Sequence, residues 1–141
     1  MIMSYKKIAV AIDFSDQSKR AFHRAINIAI ENDATLQLAH VVDTKSFGSI
    51  AAYDLKYAEK LKEKSVSDIE NYKNEAKAAG VKNVEVFVGE GSTKTILTQL
   101  LDVDLIICGA TGYNAIEKML IGSVAERIVR QAKYDVLVVR S

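Results

Sequence analysis

Proline is absent from the 141 residues, and cysteine occurs once, as Cys108. A lone cysteine builds no disulfide framework. Within the apolar run LIICG, 105–109, it reads as a small buried hydrophobe rather than a redox centre or a nucleophile. Histidine occurs only as His23 and His40, in neither an HExxH nor a CxxC context, so no metal-binding motif is present. His40 falls inside an apolar strand pattern and is expected to be a hydrogen-bonded core residue, His23 a helix-surface one. An excess of one charge is missing too: 19 Lys and Arg against 18 Asp and Glu leave +1. That balance gives no electrostatic footprint for nucleic acid or an acidic membrane. No apolar run approaches the roughly 18 residues that span a bilayer. The opening MIMSYKKIAV lacks the charge-then-apolar order of a signal peptide. Cytoplasm is the expected compartment.

What is present is ordinary globular material, 49% hydrophobic and 26% charged. The length suits one domain, residues 1–141, able to bury about 68–70% of its unfolded surface without disulfides or metals. Short apolar runs alternate with amphipathic stretches. KIAVAI (7–12), TLQLAHVV (35–42), VEVFVG (84–89), DLIICG (104–109) and DVLVVR (135–140) read as strands. Between the first two, Ser15 caps a helix to about Glu31, with Phe22, Ala25, Ile26, Ala29 and Ile30 as its inward stripe. A longer helix is expected from about Tyr53 to Ala79. Its stripe is Leu55, Ala58, Leu61, Val66, Ile69, Tyr72, Ala76 and Ala79, and Gly80 is its stop. A shorter helix starts at Ser92 or Thr93 and runs through Leu101, and the last runs from about Ser123 to Ala132. Strand–helix alternation throughout predicts right-handed crossovers and a doubly wound parallel α/β sheet with helices on both faces.

Ligands in such sheets gather beyond the carboxyl ends of the strands, where strand order reverses. The ends to inspect are Asp13, residues 41–43, residues 89–92 and Gly109. At the last of these the chain reads GATGYNAIEKMLIGS, 109–123. Gly109 and Gly112 permit a sharp turn and close approach of another group to bare backbone. Gly122 and Ser123 open the last helix, whose first amides, on Ser123, Val124 and Ala125, lack intrahelical partners and carry its positive dipole end. A phosphate suits that position. Each glycine alone is equally a turn or loop residue, and Ser123 alone an N-cap. The combination at a strand end favours a cradle facing one cavity. Asp13 likewise has two readings, ligand contact or helix entry beside Ser15. A Walker A loop is excluded because Ser123 follows Gly122 directly, and a GxGxxG fingerprint because strand 1 leads into AIDFSDQS. No lysine, histidine or paired carboxylate accompanies the cradle.

The spacing Gly109-x2-Gly112-x9-Gly122-Ser123 resembles the G-2x-G-9x-G-[S/T] signature of universal stress proteins of the UspA type, in their ATP-binding branch. The resemblance spans the chain, including YKKIAVAIDFSDQS, LQLAHVVD and GSVAERIVRQAKYDVLVVR. It implies a five-stranded sheet in the order 3-2-1-4-5, with ATP across the carboxyl ends of strands 1 and 4. Adenine would meet backbone near Ala11 and Val41, and Asp13 would lie by the nucleoside. Gly109, Thr111 and Gly112 would admit ribose and phosphates, and Gly122, Ser123, Val124 and Ala125 would cradle the phosphate chain. A magnesium or manganese ion would be held through those phosphates. Two positions depart from the pattern: Ala11 stands where some relatives carry proline, and Thr111 replaces a basic residue, which weakens phosphate attraction.

The family pairs subunits through the last strand. VLVVR at a sheet edge carries no proline or inward charge, so a homodimer through 135–140 is expected. The implied function is a nucleotide-dependent regulatory protein of the stress response, with an unidentified protein partner. The alternatives are a slow ATPase or self-phosphorylating enzyme, with Ser123 or Thr111 as acceptor, and a nucleotide-free interaction module. The 43–51 loop, with Gly48 and its serines, has the composition of a lid over the adenine end.

Overall fold

A computed structural model describes residues 4–43, 55–111 and 122–140. Five strands form one parallel sheet: β1 (Lys7–Ala11), β2 (Thr35–Asp43), β3 (Val84–Gly91), β4 (Leu105–Gly109) and β5 (Asp135–Val139). Their order is β3-β2-β1-β4-β5, as the resemblance implied. The order reverses beside β1, which pairs with β2 on one side and β4 on the other. The crevice between the ends of β1 and β4 is therefore the switch point.

The pleat sorts side chains between two cores. Ile8 and Val10 of β1, Leu36 and Leu38 of β2, and Leu105 and Ile107 of β4 face helices α1 (Asp16–Asn32) and α2 (Leu55–Ala79). The alternate residues, Ala9, Ala39, Val41, Ile106 and Cys108, face the other layer. That second layer is α3 (Thr93–Thr95), the π-helical turn Ile96–Leu100 and α4 (Ser123–Gln131). None of the described helices is long and apolar enough to cross a membrane.

Local chemistry explains the boundaries. The Ser15 hydroxyl accepts the Ser18 amide at 3.1 Å and caps α1. Gly80, at φ +116°, ends α2 in a conformation that side chains resist. Two expected stripes are corrected. In α1, Phe22, Ala25, Ile26 and Ala29 are buried, but Ile30 is 45% exposed and rests beside Gly80. In α2 the buried line passes through Ser65, Ile69 and Ala76, with Tyr72 packed beside it, while Val66 and Ala79 are exposed. Leu61 to Val66 is a step of five, which turns the residue off a face that recurs every three or four. Tyr53, and the side chains of Leu55 and Ala58, lie outside the described residues.

The helix expected through Leu101 is α-helical only to Thr95 and then widens. The Thr98 hydroxyl donates back to the carbonyls of Lys94 at 2.7 Å and Thr95 at 3.3 Å, a bond that bends helices. The displaced carbonyls find partners in the segment leading to β5. Leu97 O accepts from the Tyr134 hydroxyl at 2.6 Å, and Thr98 O from the Lys133 amide at 3.3 Å.

Candidate functional site

At the carboxyl end of β1 the chain leaves the sheet through Ile12 and Asp13. The Ile12 amide still pairs with Ala39 O at 2.8 Å, so the β1 and β2 ends are held together. Asp13 is exposed, and its Oδ1 accepts from the amide of Ser15 at 2.9 Å and from the Ser15 hydroxyl. The helix-entry role is thus present, and Oδ2 takes no part in it. Phe14 follows with φ +65°, a region that bulky residues rarely occupy. Its ring lies 4.7 Å from that of His40, whose Nδ1 meets Ile12 O at 2.6 Å. His40 is hydrogen-bonded as expected, though only half-buried. His23 is on the surface, 2.8 Å from Glu75, and holds that carboxyl below its ordinary range. The Phe14 conformation was not legible in the sequence. Strained backbone of this kind clusters at ligand sites and switch segments.

Ala11 and Val41 lie on the same sheet face, that of α3 and α4. Val41 is buried, and Ala11 is packed against the same cluster. Cys108, two positions from Ala110 on β4, belongs to that cluster too. Burial pushes its thiol up to about 11, so it stays protonated at neutral pH and is no nucleophile.

Gly109 has a reason that spacing did not reveal. A Cβ there would stand 3.0 Å from the backbone oxygen and 3.1 Å from the carbonyl carbon of Gln17. The group that approaches this glycine is the first turn of α1. Beyond it the Ala110 amide bonds Val139 O at 2.9 Å, and the Ala110 carbonyl accepts the Gly122 amide at 2.7 Å. The chain that departs after Thr111, itself half-buried, therefore returns to its point of departure. Gly112 and residues 113–121 lie outside the described residues, as does the lid expected over 43–51 except for Asp43, which ends β2.

Gly122, not Ser123, is the N-cap of α4, with φ −65° and ψ 160°. The plain capping role for Ser123 is corrected: it is the first helical residue and is exposed. The first intrahelical bond runs from the Glu126 amide to Gly122 O at 2.9 Å. The amides of Ser123, Val124 and Ala125 precede it and have no acceptor within the helix. A glycine cap offers no side-chain oxygen to take their place. These donors, at the positive end of the helix dipole, suit a phosphate oxygen. Among the described residues no group of three His, Cys, Asp or Glu side chains is placed to hold a metal ion.

The fold also brings a lysine into a groove that Ser123 lines, which the sequence did not suggest. Lys94 of α3 lines one groove with Ser123, Glu126, Arg127, Arg130 and Gln131 of α4. The signal was hard to find because 29 positions separate Lys94 from Ser123 in the chain.

Comparison with known proteins agrees with the geometry. The model of the universal stress protein family matches residues 4–140. A putative universal stress protein of Staphylococcus saprophyticus is 42% identical over 144 aligned positions, covering 99% of this chain and 86% of the relative. Among solved structures, universal stress protein UspA from Lactobacillus plantarum has a TM-score of 0.88 at 24% identity, covering 98% of this chain and 99% of that one, a likeness of fold. A universal stress protein crystallised in complex with cAMP has a TM-score of 0.74 at 29% identity, covering 99% of this chain and all of the other. The chain belongs to the universal stress protein family.

Proposed function

We propose that this protein binds an adenine nucleotide, ATP in the first instance, and acts as a nucleotide-dependent regulatory protein. The observation that carries the reading is the Gly122–Ala110 hydrogen bond. It brings the uncapped amides of Ser123, Val124 and Ala125 near the carboxyl end of β4, a strand that borders the switch point of the sheet. Open parallel sheets bind ligands in that crevice. The cAMP complex of a relative supports an adenine nucleotide as the class of guest.

In this reading the backbone of Ala11 and the buried Val41 give the base an apolar seat. Asp13 offers Oδ2 to the ribose while Oδ1 holds the α1 entry. Thr111 and Gly112 border the sugar and phosphates, and the α4 amides with the Ser123 hydroxyl donate to phosphate oxygens. Any magnesium or manganese ion would be held through the phosphates. Gly109 serves by letting α1 close against β4. The bound nucleotide supplies negative charge and a surface for partners, and the chain's own residues bind and orient it.

The test is direct. The purified protein is denatured and any released nucleotide identified by chromatography. ATP at about a hundred times its dissociation constant should stabilise the fold by roughly 2.7 kcal/mol, read as a thermal shift. Gly122→Val should abolish the shift, because a branched side chain crowds the amides, while leaving the oligomeric state unchanged. An unaltered shift in that variant would refute the cradle. Fast ATP hydrolysis, or a phosphorylated Ser123 or Thr111 in mass spectra, would favour an enzyme over a sensor.

A further inference from the structure

The groove between α3 and α4 is lined by cations from two separate elements. On α4, Ser123, Glu126, Arg127, Arg130 and Gln131 recur at steps of three and four, so they form one polar stripe. The opposite face, with Ala125 and Ile128, is buried against the sheet. Lys94 of α3 stands across from the stripe. Among the described residues Glu126 is the only carboxylate lining the groove, and Arg130 Nη2 meets its Oε1 at 3.1 Å. The Arg127 guanidinium donates to the neutral Gln131 Oε1 at 3.3 Å. Among the described residues, no carboxylate forms an ion pair with Lys94 or Arg127. Two cations are therefore left over in one concave space.

The groove holds about 320 Å³. Small-molecule sites run from about 300 to 1,000 Å³, so this one has room for a compact polar group with its water. Ser123, at the phosphate end of the nucleotide in the reading above, is one of its lining residues.

We propose that this groove, through Lys94 and Arg127, is the seat of the terminal phosphates, and so makes the protein selective for nucleoside di- and triphosphates over monophosphates. The assignment rests on the nucleotide reading of the α4 start. Lys94 acts as a point charge, and Arg127 presents a planar fork matched to two phosphate oxygens. The Glu126–Arg130 pair neutralises the one charge that would repel the guest.

The experiment is calorimetric titration of the full chain with ATP, ADP, AMP and cAMP at fixed salt. It compares wild type with Lys94→Met, which keeps the apolar stem, with Arg127→Met, and with Lys94→Arg. The unaltered protein should bind ATP more tightly than AMP. Each methionine variant should weaken ATP about three- to tenfold while AMP and cAMP move less than twofold, and Lys94→Arg should restore most of the loss. Equal weakening of ATP and AMP would mean a structural role and overturn the proposal. Unchanged ATP affinity in both methionine variants would overturn it as well. If the unaltered protein binds none of the four, the nucleotide reading itself fails, which is a different result from binding that ignores the two substitutions. Circular dichroism confirms that each variant is folded, and Arg127, being exposed, gives a variant that does not disturb the core.

Discussion

Single residues in this chain do work that their identity announces but does not explain. Gly109 is the clearest case. Its place in a glycine signature suggests room for a ligand, whereas the atoms that would meet a Cβ are Gln17 O and C, at 3.0 and 3.1 Å. Both belong to backbone that α1 cannot easily move. Gly109→Ala should therefore destabilise the fold by about 1–3 kcal/mol, the usual effect of overpacking, seen as a lower urea midpoint with an unchanged slope. A neutral result would mean that the first turn of α1 has slack. Gly80 was read correctly because a helix end needs a left-handed residue and nothing more. The reason for Gly109 could not be read because it depends on where α1 lies, which is a tertiary fact. The same holds for Lys94, which only the fold brings into one groove with Ser123.

At the scale of elements, the five strands and the order of helices were legible because each apolar run is short and bounded by polar residues. The errors arise where phase or hydrogen bonding departs from a regular helix. The step from Leu61 to Val66 broke the three-and-four rhythm, and the buried position proved to be Ser65. The π turn at Ile96–Leu100 was not legible, since its partners, Lys133 and Tyr134, come from the approach to β5. That turn ties the second helical layer to the last strand. Tyr134 is half-buried, and desolvation raises its hydroxyl above the ordinary tyrosine range, so the phenol remains a donor at neutral pH. Tyr134→Phe would leave Leu97 O without its partner and should lower stability by about 1 kcal/mol. The expected signature is faster amide hydrogen exchange across Ile96–Leu100 with little change in α1. Uniform acceleration across the chain would show that the contact is not local.

The whole molecule leaves β5 at one margin of the sheet, and the direction of its free groups follows from two bonds. Asp135 N donates to Asp104 O at 3.2 Å, and Val139 O accepts from Ala110 N at 2.9 Å. Residues of a parallel strand alternate in the side to which their backbone groups point. Asp135, Leu137 and Val139 thus serve β4, while Val136 and Val138 direct N–H and C=O outward. Their side chains are half-buried, so the margin is both apolar and hydrogen-bonding, a combination that invites another strand. We expect two copies to pair antiparallel there about a two-fold axis, which closes the assembly. Val138→Pro removes one outward N–H and touches no bond to β4, and proline is tolerated on edge strands for that reason. The variant should therefore run as a monomer in light scattering at micromolar concentration, while its ATP-induced thermal shift survives, because the outward N–H of Val138 takes no part in the Ala110–Val139 and Gly122–Ala110 bonds that hold the start of α4. A dimer that persists in this variant would place the contact elsewhere, and loss of both properties together would mean that the nucleotide site needs the paired strands.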